Sequence, residues 1–186
     1  MRIVGGRMRG LGLTPIGKGD ASAQLRPTSD RVREAIFNLL LNGKYGNPVQ
    51  GAEVLDLFAG TGALGLEALS RGAAKVTFVE NGPVAGRLLV ANIKKARAED
   101  ETRVIRGDAT RLGTADNPAT LVFLDPPYAR NLGGRALVTL REGGWLAPSA
   151  LIVWEEASEQ DAPEGFVRLD HRRYGEIHIT ILENAT

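Results

Sequence analysis

The chain contains no cysteine, which excludes disulfides, thiolate metal sites and every mechanism built on a cysteine nucleophile. Histidine is nearly as scarce. His171 and His178 lie close to the C-terminus among alternating apolar residues; they read as surface or sheet positions, and neither a histidine-centred triad nor a metal site is expected. No apolar stretch approaches the roughly 20 residues needed to cross a bilayer, and Met1-Arg2-Ile3-Val4-Gly5-Gly6 leads into no signal-type segment, so a soluble, cytoplasmic protein is expected. What is present is ordinary globular composition: 43% apolar and 24% charged residues in a chain of 186. That length suits one core with at most a small appendage.

A net charge of +1 hides an asymmetry. Residues 1–33 hold seven basic side chains (Arg2, Arg7, Arg9, Lys18, Arg26, Arg31 and Arg33) against Asp20 and Asp30, which makes this segment +5 and leaves −4 for the remainder. The N-terminal arm is therefore the natural place to meet a polyanion. It is also rich in glycine (Gly5, Gly6, Gly10, Gly12, Gly17, Gly19), so its backbone can approach phosphates closely. A flexible or hairpin-like basic lobe is expected over residues 1–27, ahead of a larger domain over 28–186.

Thr28-Ser29-Asp30 supplies capping side chains for a helix with Val32, Ala35, Ile36, Leu39 and Leu40 at three- and four-residue spacing, ending near Asn42-Gly43. Gly46 to Gly51 reads as a linker. Strand and helix patterns then alternate: Val54 to Phe58, a helix through Leu64 and Leu69, Val76 to Val79, and a helix opened by Pro83. Strands follow near Arg103 to Arg106 and at Leu121 to Leu124, then a helix around Leu132 to Leu140 and a strand at Leu151 to Trp154. This β/α repetition predicts a doubly wound, Rossmann-like sheet with mostly parallel strands and helices on both faces. Phe166 to Leu169 and Ile177 to Ile181, joined by a turn at Tyr174-Gly175, depart from it as an antiparallel edge hairpin, for seven strands in all.

Gly60-Thr61-Gly62-Ala63-Leu64-Gly65 follows the first strand, opens a helix, and has Glu80 twenty residues on, so it fits the dinucleotide fingerprint G-x-G-x-x-G literally. Any adenosine-type cofactor needs the same sharp turn and a carboxylate for the ribose hydroxyls. Asp56 decides between cofactors: a carboxylate before the turn repels a pyrophosphate and suits the ammonium and sulfonium of S-adenosylmethionine. The run Leu55-Asp56-Leu57-Phe58-Ala59-Gly60-Thr61-Gly62 resembles the first motif of Rossmann-like S-adenosylmethionine-dependent methyltransferases. Asp108, in Gly107-Asp108-Ala109, resembles the residue that reaches the adenine amino group in that class. Asp56, Glu80 and Asp108 would line one crevice from three successive strand ends.

Asp125-Pro126-Pro127-Tyr128 after the fourth strand resembles the (Asp/Asn/Ser)-Pro-Pro-(Tyr/Phe) motif of methyltransferases acting on amino nitrogens. The chemistry explains the residue types. A nucleobase amino group is a poor nucleophile because its lone pair is delocalised, so its nitrogen must be held in line with the methyl. Asp125 carboxylate and Pro126 carbonyl can accept the two amino protons while the prolines stiffen the loop. Tyr128 offers a stacking surface to a base extruded from its helix. Trp145 and Trp154, beside a helix end and in a strand, read as packing residues.

Beyond these motifs, Met1 to Gly6, Arg9-Gly10, the stretch Arg26-Pro27-Thr28-Ser29-Asp30-Arg31-Val32-Arg33-Glu34-Ala35-Ile36-Phe37-Asn38 and Leu55 through Gly72 resemble the bacterial RsmD family, methyltransferases of guanine N2 in 16S ribosomal RNA. The resemblance implies an N-terminal hairpin lobe that helps bind RNA, a domain that holds S-adenosylmethionine, and an active site at Asp125 to Tyr128. It assigns Asp56, Phe58, Gly60 and Gly62 to the methionine end, Glu80 to ribose, and Asp108 with Ala109 to adenine, and it counts Ala59 and Asn81 among the cofactor-binding residues. Arg2, Arg7, Arg9, Arg26, Thr28 and Arg31 are the expected RNA contacts. Capping and salt bridging of the first helix is the other reading of Arg26, Thr28 and Arg31. At Asn81-Gly82-Pro83 the chain departs from relatives that carry further polar residues before the helix. The implied partner is the small ribosomal subunit or its assembly intermediate, met by a monomer. Alternatives left open are a DNA adenine-N6 methyltransferase, a catalytically idle RNA-binding assembly factor and an NAD-dependent oxidoreductase.

Overall fold

The computed structural model describes residues 1–15, 28–128 and 131–185. The elements run α1 (Asp30–Asn42), β1 (Glu53–Leu57), α2 (Ala63–Ser70), β2 (Lys75–Glu80), α3 (Pro83–Ala96), β3 (Thr102–Arg106), β4 (Ala119–Leu124), α4 (Leu132–Glu142), β5 (Leu146–Glu156), β6 (Phe166–Tyr174) and β7 (Ile177–Asn184). One seven-stranded sheet has the order β3-β2-β1-β4-β5-β7-β6. The first five strands are parallel; β7 pairs antiparallel with β5 and β6 lies outermost. The doubly wound sheet and its antiparallel terminal hairpin therefore match the sequence pattern.

Alternation along the strands sorts side chains into two cores. Val54, Val76, Phe78, Leu121, Phe123, Leu151 and Val153 face α1, α2 and α3. Leu55, Leu57, Val79, Val122, Leu124, Ile152 and Trp154 face α4. The same period of two carries past the strand ends. Asp56 lies two residues after Val54, Asp125 two after Phe123 and Glu155 two after Val153, so all three carboxylates fall on the α1 side of the sheet. Because Leu124 is level with Trp154 in the β4–β5 register, the next residues, Asp125 and Glu155, stand side by side at the carboxyl ends of adjacent strands.

The N-terminal arm is a small hairpin closed by an Arg2–Gly12 bridge. Its Ile3 and Leu13 are buried in the α1–α3 core. Gly6 has φ +75°, and a Cβ there would lie 1.9 Å from the Ser70 carbonyl oxygen at the end of α2. The glycine at this position thus serves packing against α2, where the sequence suggested phosphate approach. Asn92 of α3 fastens the end of the arm: its side chain accepts from Thr14 N at 2.8 Å and donates to the carbonyls of Thr14 and Thr61. No described helix is long and apolar enough to cross a membrane.

Candidate active site

The turn after β1 is built by two carboxylates and by glycines. Gly62, at φ +82°, precedes α2, and a Cβ on Gly65 would meet the Phe78 ring at 2.3 Å, so helix and sheet can close only over hydrogen at that position. Asp56, 2% exposed, accepts from Gly65 N at 2.8 Å and so braces the first turn of α2 from beneath. Burial, reinforced by Glu80, pushes its pKa up to about 8 despite that bond. Glu80 accepts from Gly60 N at 2.8 Å through one oxygen and from Gly82 N at 2.6 Å through the other. It ties the loops after β1 and β2 together, and each oxygen keeps a second lone pair for a ligand hydroxyl. Phe58, at φ +58°, and Ala59 are half-buried on the same turn, and Asn81 is exposed beside it. Asp108 receives Thr110 N and Thr110 Oγ1 on a single oxygen; the Thr110 bonds hold its pKa below the usual range. Ala109 is buried behind it.

Across β1 the crevice is strongly acidic. Asp125 at the end of β4 stands beside Glu155 at the end of β5, with Glu156 next in the chain; both glutamates are buried. The Thr28 hydroxyl donates to Glu155 Oε2 at 2.8 Å and lies 3.4 Å from Asp125 Oδ2. Tyr128 Oη lies 3.4 Å from Glu155 Oε1. Burial and then the neighbouring Glu155, Asp56 and Glu156 carboxylates raise the Asp125 pKa well above the ordinary carboxylate range. Burial raises Glu155 too, against the Thr28 and Tyr128 hydroxyls, with Glu156 adding to the rise. The Tyr128 phenol is raised by burial and by Glu155, then Asp125; it stays a neutral donor.

Glu155 and Glu156 were missed in the sequence reading, which stopped the fifth strand at Trp154. The signal was legible: two carboxylates directly after an apolar parallel strand stand at the end of the sheet where ligands bind.

Thr28 owes its position to the segment that follows it. Ser29 caps α1, its Oγ accepting from Val32 N, and Arg33 one turn on donates to the Thr28 carbonyl at 3.3 Å. Arg33 is fully buried. Its guanidinium also donates to the Arg2 carbonyl, to Asp30 at 2.8 Å and to Glu67 at 3.4 Å. Glu67, likewise buried, accepts from Val4 N, Gly5 N and Arg71 Nε, each at 2.8 Å. Arg33 thus adds no positive charge to the surface, contrary to its place in the basic count. Its spacing held the clue, because Arg33 shares a helical face with Ile36, Phe37 and Leu40.

The expected RNA contacts meet four different fates. Arg2, Arg9 and Arg31 are exposed. Arg2 and Arg9 line, with Gly5, Gly6 and Arg71, a cleft of about 640 Å³, and Arg2 lies 3.7 Å from Asp30. Arg7 is already paired with Glu101 at 2.6 Å, and Thr28 is buried between Asp125 and Glu155. Arg26 lies outside the described residues. Trp145 and Trp154 are both buried in the α4-side core, and His171 and His178 stack on the β6–β7 hairpin at 5.1 Å between ring centroids. Among the described residues no cluster of His, Asp or Glu could hold a metal ion.

A family model described as Conserved hypothetical protein 95 matches residues 1–183. Ribosomal RNA small subunit methyltransferase D of Escherichia coli is 41% identical over 164 residues, 88% of this chain and 78% of that one. The chain belongs to the RsmD family. Among solved structures similar to this RsmD-family chain, yhhF from Escherichia coli superposes with a TM-score of 0.81 at 36% identity, covering 99% of this chain and 97% of that one. An RNA methyltransferase from Salinibacter ruber, solved with S-adenosyl-L-homocysteine, shares the fold at a TM-score of 0.66 and 19% identity, over 85% of this chain and 93% of that one.

Proposed function

We propose that the chain is an S-adenosylmethionine-dependent methyltransferase that modifies the N2 amino group of a guanine in 16S ribosomal RNA. The observation that carries this reading is the placement of Asp125-Pro126-Pro127-Tyr128 at the end of β4, beside the strand whose glycine turn is held by Glu80. RsmD-family membership and the name of the Escherichia coli relative support ribosomal RNA as the acceptor.

The residues present fit the donor. Glu80 and the Gly60–Gly62 turn offer hydroxyl acceptors and close backbone approach to a ribose, and Asp108 has an oxygen free of its Thr110 bonds to meet an adenine amino group. The carboxylates of Asp56, Asp125 and Glu155 give the crevice a negative field that attracts a cationic ligand and disfavours the pyrophosphate of NAD. Phe58, Ala59 and Asn81 complete this wall. When bound, S-adenosylmethionine supplies an electrophilic methyl group on a sulfonium.

The protein's part is to hold the nitrogen. Asp125 carboxylate and the Pro126 carbonyl accept the amino protons, which draws the nitrogen towards tetrahedral geometry and aims its lone pair. Pro126 and Pro127 fix the loop, and Tyr128, tied to Glu155, sets the surface on which the extruded base stacks. Arg2, Arg9 and Arg31 lie where RNA phosphates would approach, with the small ribosomal subunit as substrate and a single protein copy acting on it.

The test is methyl transfer from tritiated S-adenosylmethionine to small subunits lacking the modification, with duplex DNA as competitor. Label in 16S RNA that maps to guanine N2 is expected. Label in DNA adenine instead would overturn the assignment. Asp125→Ala should lower the rate by about two to three orders of magnitude, the scale of a lost transition-state contact. Tyr128→Ala should lose turnover while calorimetry shows S-adenosylhomocysteine binding largely retained.

A further inference from the structure

Thr28 is a hydroxyl with one hydrogen and two carboxylate neighbours. The shorter contact, 2.8 Å to Glu155 Oε2, claims that hydrogen. Asp125 Oδ2, 3.4 Å away on the other side, then faces an oxygen lone pair and can itself donate through Thr28 when it carries a proton. Glu155 is built to receive: its two oxygens meet the hydroxyls of Thr28 and Tyr128, and it is 2% exposed, so its proton traffic runs through these hydroxyls. The order Asp125, Thr28, Glu155 is a hydrogen-bonded line leading from the catalytic loop into the protein.

We propose that Thr28 and Glu155 form a proton outlet for the catalytic loop, with Asp125 taking the proton shed by the methylated nitrogen and the Thr28 hydroxyl passing it to Glu155. This rests on the methyltransferase reading above. After the methyl group arrives, the nitrogen carries one hydrogen too many and a positive charge. One N–H bond breaks with its electron pair staying on nitrogen, and an O–H bond forms on Asp125. That proton moves to Thr28 Oγ as the hydrogen already there moves to Glu155 Oε2, so Thr28 ends unchanged and Glu155 ends neutral. Nothing is oxidised or reduced. When product leaves, the proton returns along the same line to Asp125, which is partly exposed to the crevice, and on to water.

The groups facing the two carboxylates of this line are other carboxylates and neutral hydroxyl donors, while the Arg33 guanidinium meets Thr28 at its backbone carbonyl, 3.3 Å away. Asp125 faces Glu155, Asp56, Glu156 and Thr28; Glu155 faces Thr28, Tyr128 and Glu156. In such a setting two adjacent carboxylates take up a first proton readily and titrate as a pair. Glu155 acts through Thr28 and is therefore a positioning and proton-accepting partner, one step removed from substrate.

The experiment measures single-turnover methyl transfer to small subunits lacking the modification, from acid to alkaline pH, for wild type, Glu155→Gln, Thr28→Val and Thr28→Ser. Glu155→Gln keeps the size and an acceptor oxygen for one of the two hydroxyls, presents an N–H donor to the other, and removes the proton site. Its plateau rate should fall by about a hundredfold, the scale of lost acid–base assistance. Its acid limb should move to lower pH, because Asp125 loses a like-charged neighbour. Thr28→Val should fall similarly, whereas Thr28→Ser, which restores the hydroxyl, should retain most of the rate. Binding of S-adenosylhomocysteine should be the same in all four. A wild-type rate and unmoved acid limb in Glu155→Gln, or equal rates for Thr28→Val and Thr28→Ser, would overturn the outlet while leaving the enzyme's function standing. Absence of transfer by wild type would instead overturn the function, and this inference with it.

Discussion

Two groups of buried carboxylates lie on the same face of the sheet, one on each side of the start of α1, and they are solved in opposite ways. Glu67 is surrounded by donors: the guanidinium groups of Arg33 and Arg71 and the backbone N–H groups of Val4 and Gly5. Asp125, Glu155 and Asp56 face one another, with hydroxyls and single backbone donors in place of cations. The first arrangement closes a structure, because each charge has its counter-charge. The second leaves negative field unspent in a crevice, which is the state expected of a site that receives a cationic ligand and handles protons. The stretch from Thr28 to Arg33 links the two, with Thr28 placed on the unpaired carboxylates and Arg33 on the paired one. Fastening of the N-terminal hairpin and contact with the Asp125 to Tyr128 loop thus share one short segment.

The comparison can be broken most forcefully at Arg33. Replacing it with Met leaves buried Glu67 with Arg71 alone as counter-charge and takes the donor from Asp30 and from the Thr28 and Arg2 carbonyls, and the expected loss is about 3–5 kcal/mol of unfolding free energy by urea titration. The double variant Arg33→Met, Glu67→Gln should recover part of that loss, since it removes the buried negative charge while the amide oxygen still accepts from one backbone N–H of the arm. Equal stabilities of the single and double variants would show that the pair contributes only packing.

A smaller, pH-dependent effect is expected at the unpaired group. The Asp56 pKa is raised in the folded state, so its contribution to stability is full below the unfolded value, near 4, and is lost as pH rises through about 8. Each unit of that shift corresponds to about 1.4 kcal/mol. In Asp56→Asn, which keeps an oxygen for Gly65 N, the ligand-free protein should therefore lose less stability than wild type over that interval. Thermal melts across the pH range check this, and parallel curves would remove Asp56 from the unpaired group.

The smallest effect sharpens the comparison at the surface. Arg9→Ala should weaken binding to ribosomal subunits a few-fold with kcat kept, and should lower the slope of log affinity against log salt by about one. Arg7→Ala should do less, because Arg7 is already neutralised by Glu101. A larger effect for Arg7 would reverse the assignment of the RNA-facing side of the hairpin.

Local pattern accounts for much of what was legible beforehand. Periods of two and 3.6, the Ser29 cap, Pro83 at a helix start and the glycine turn were enough for the element order and the parallel sheet with its final hairpin. The Gly60 turn, Glu80 and Asp125 to Tyr128 were equally readable, because chemistry at strand ends in such a sheet must gather on one edge. Arg33 and Thr28 were read with less success: a charge on an apolar helical face and a hydroxyl before a cap look like surface and capping residues until the neighbouring elements are in place.

By itself, then, the amino-acid sequence determined which strands and helices form and which loops stand at the carboxyl ends of the parallel strands, since these depend on residues near one another in the chain. Only the tertiary structure decided which carboxylates are paired and which are left facing each other. Charge in a protein interior is governed by whatever stands within a few ångströms, and Thr28 meets Glu155 across 127 residues of chain.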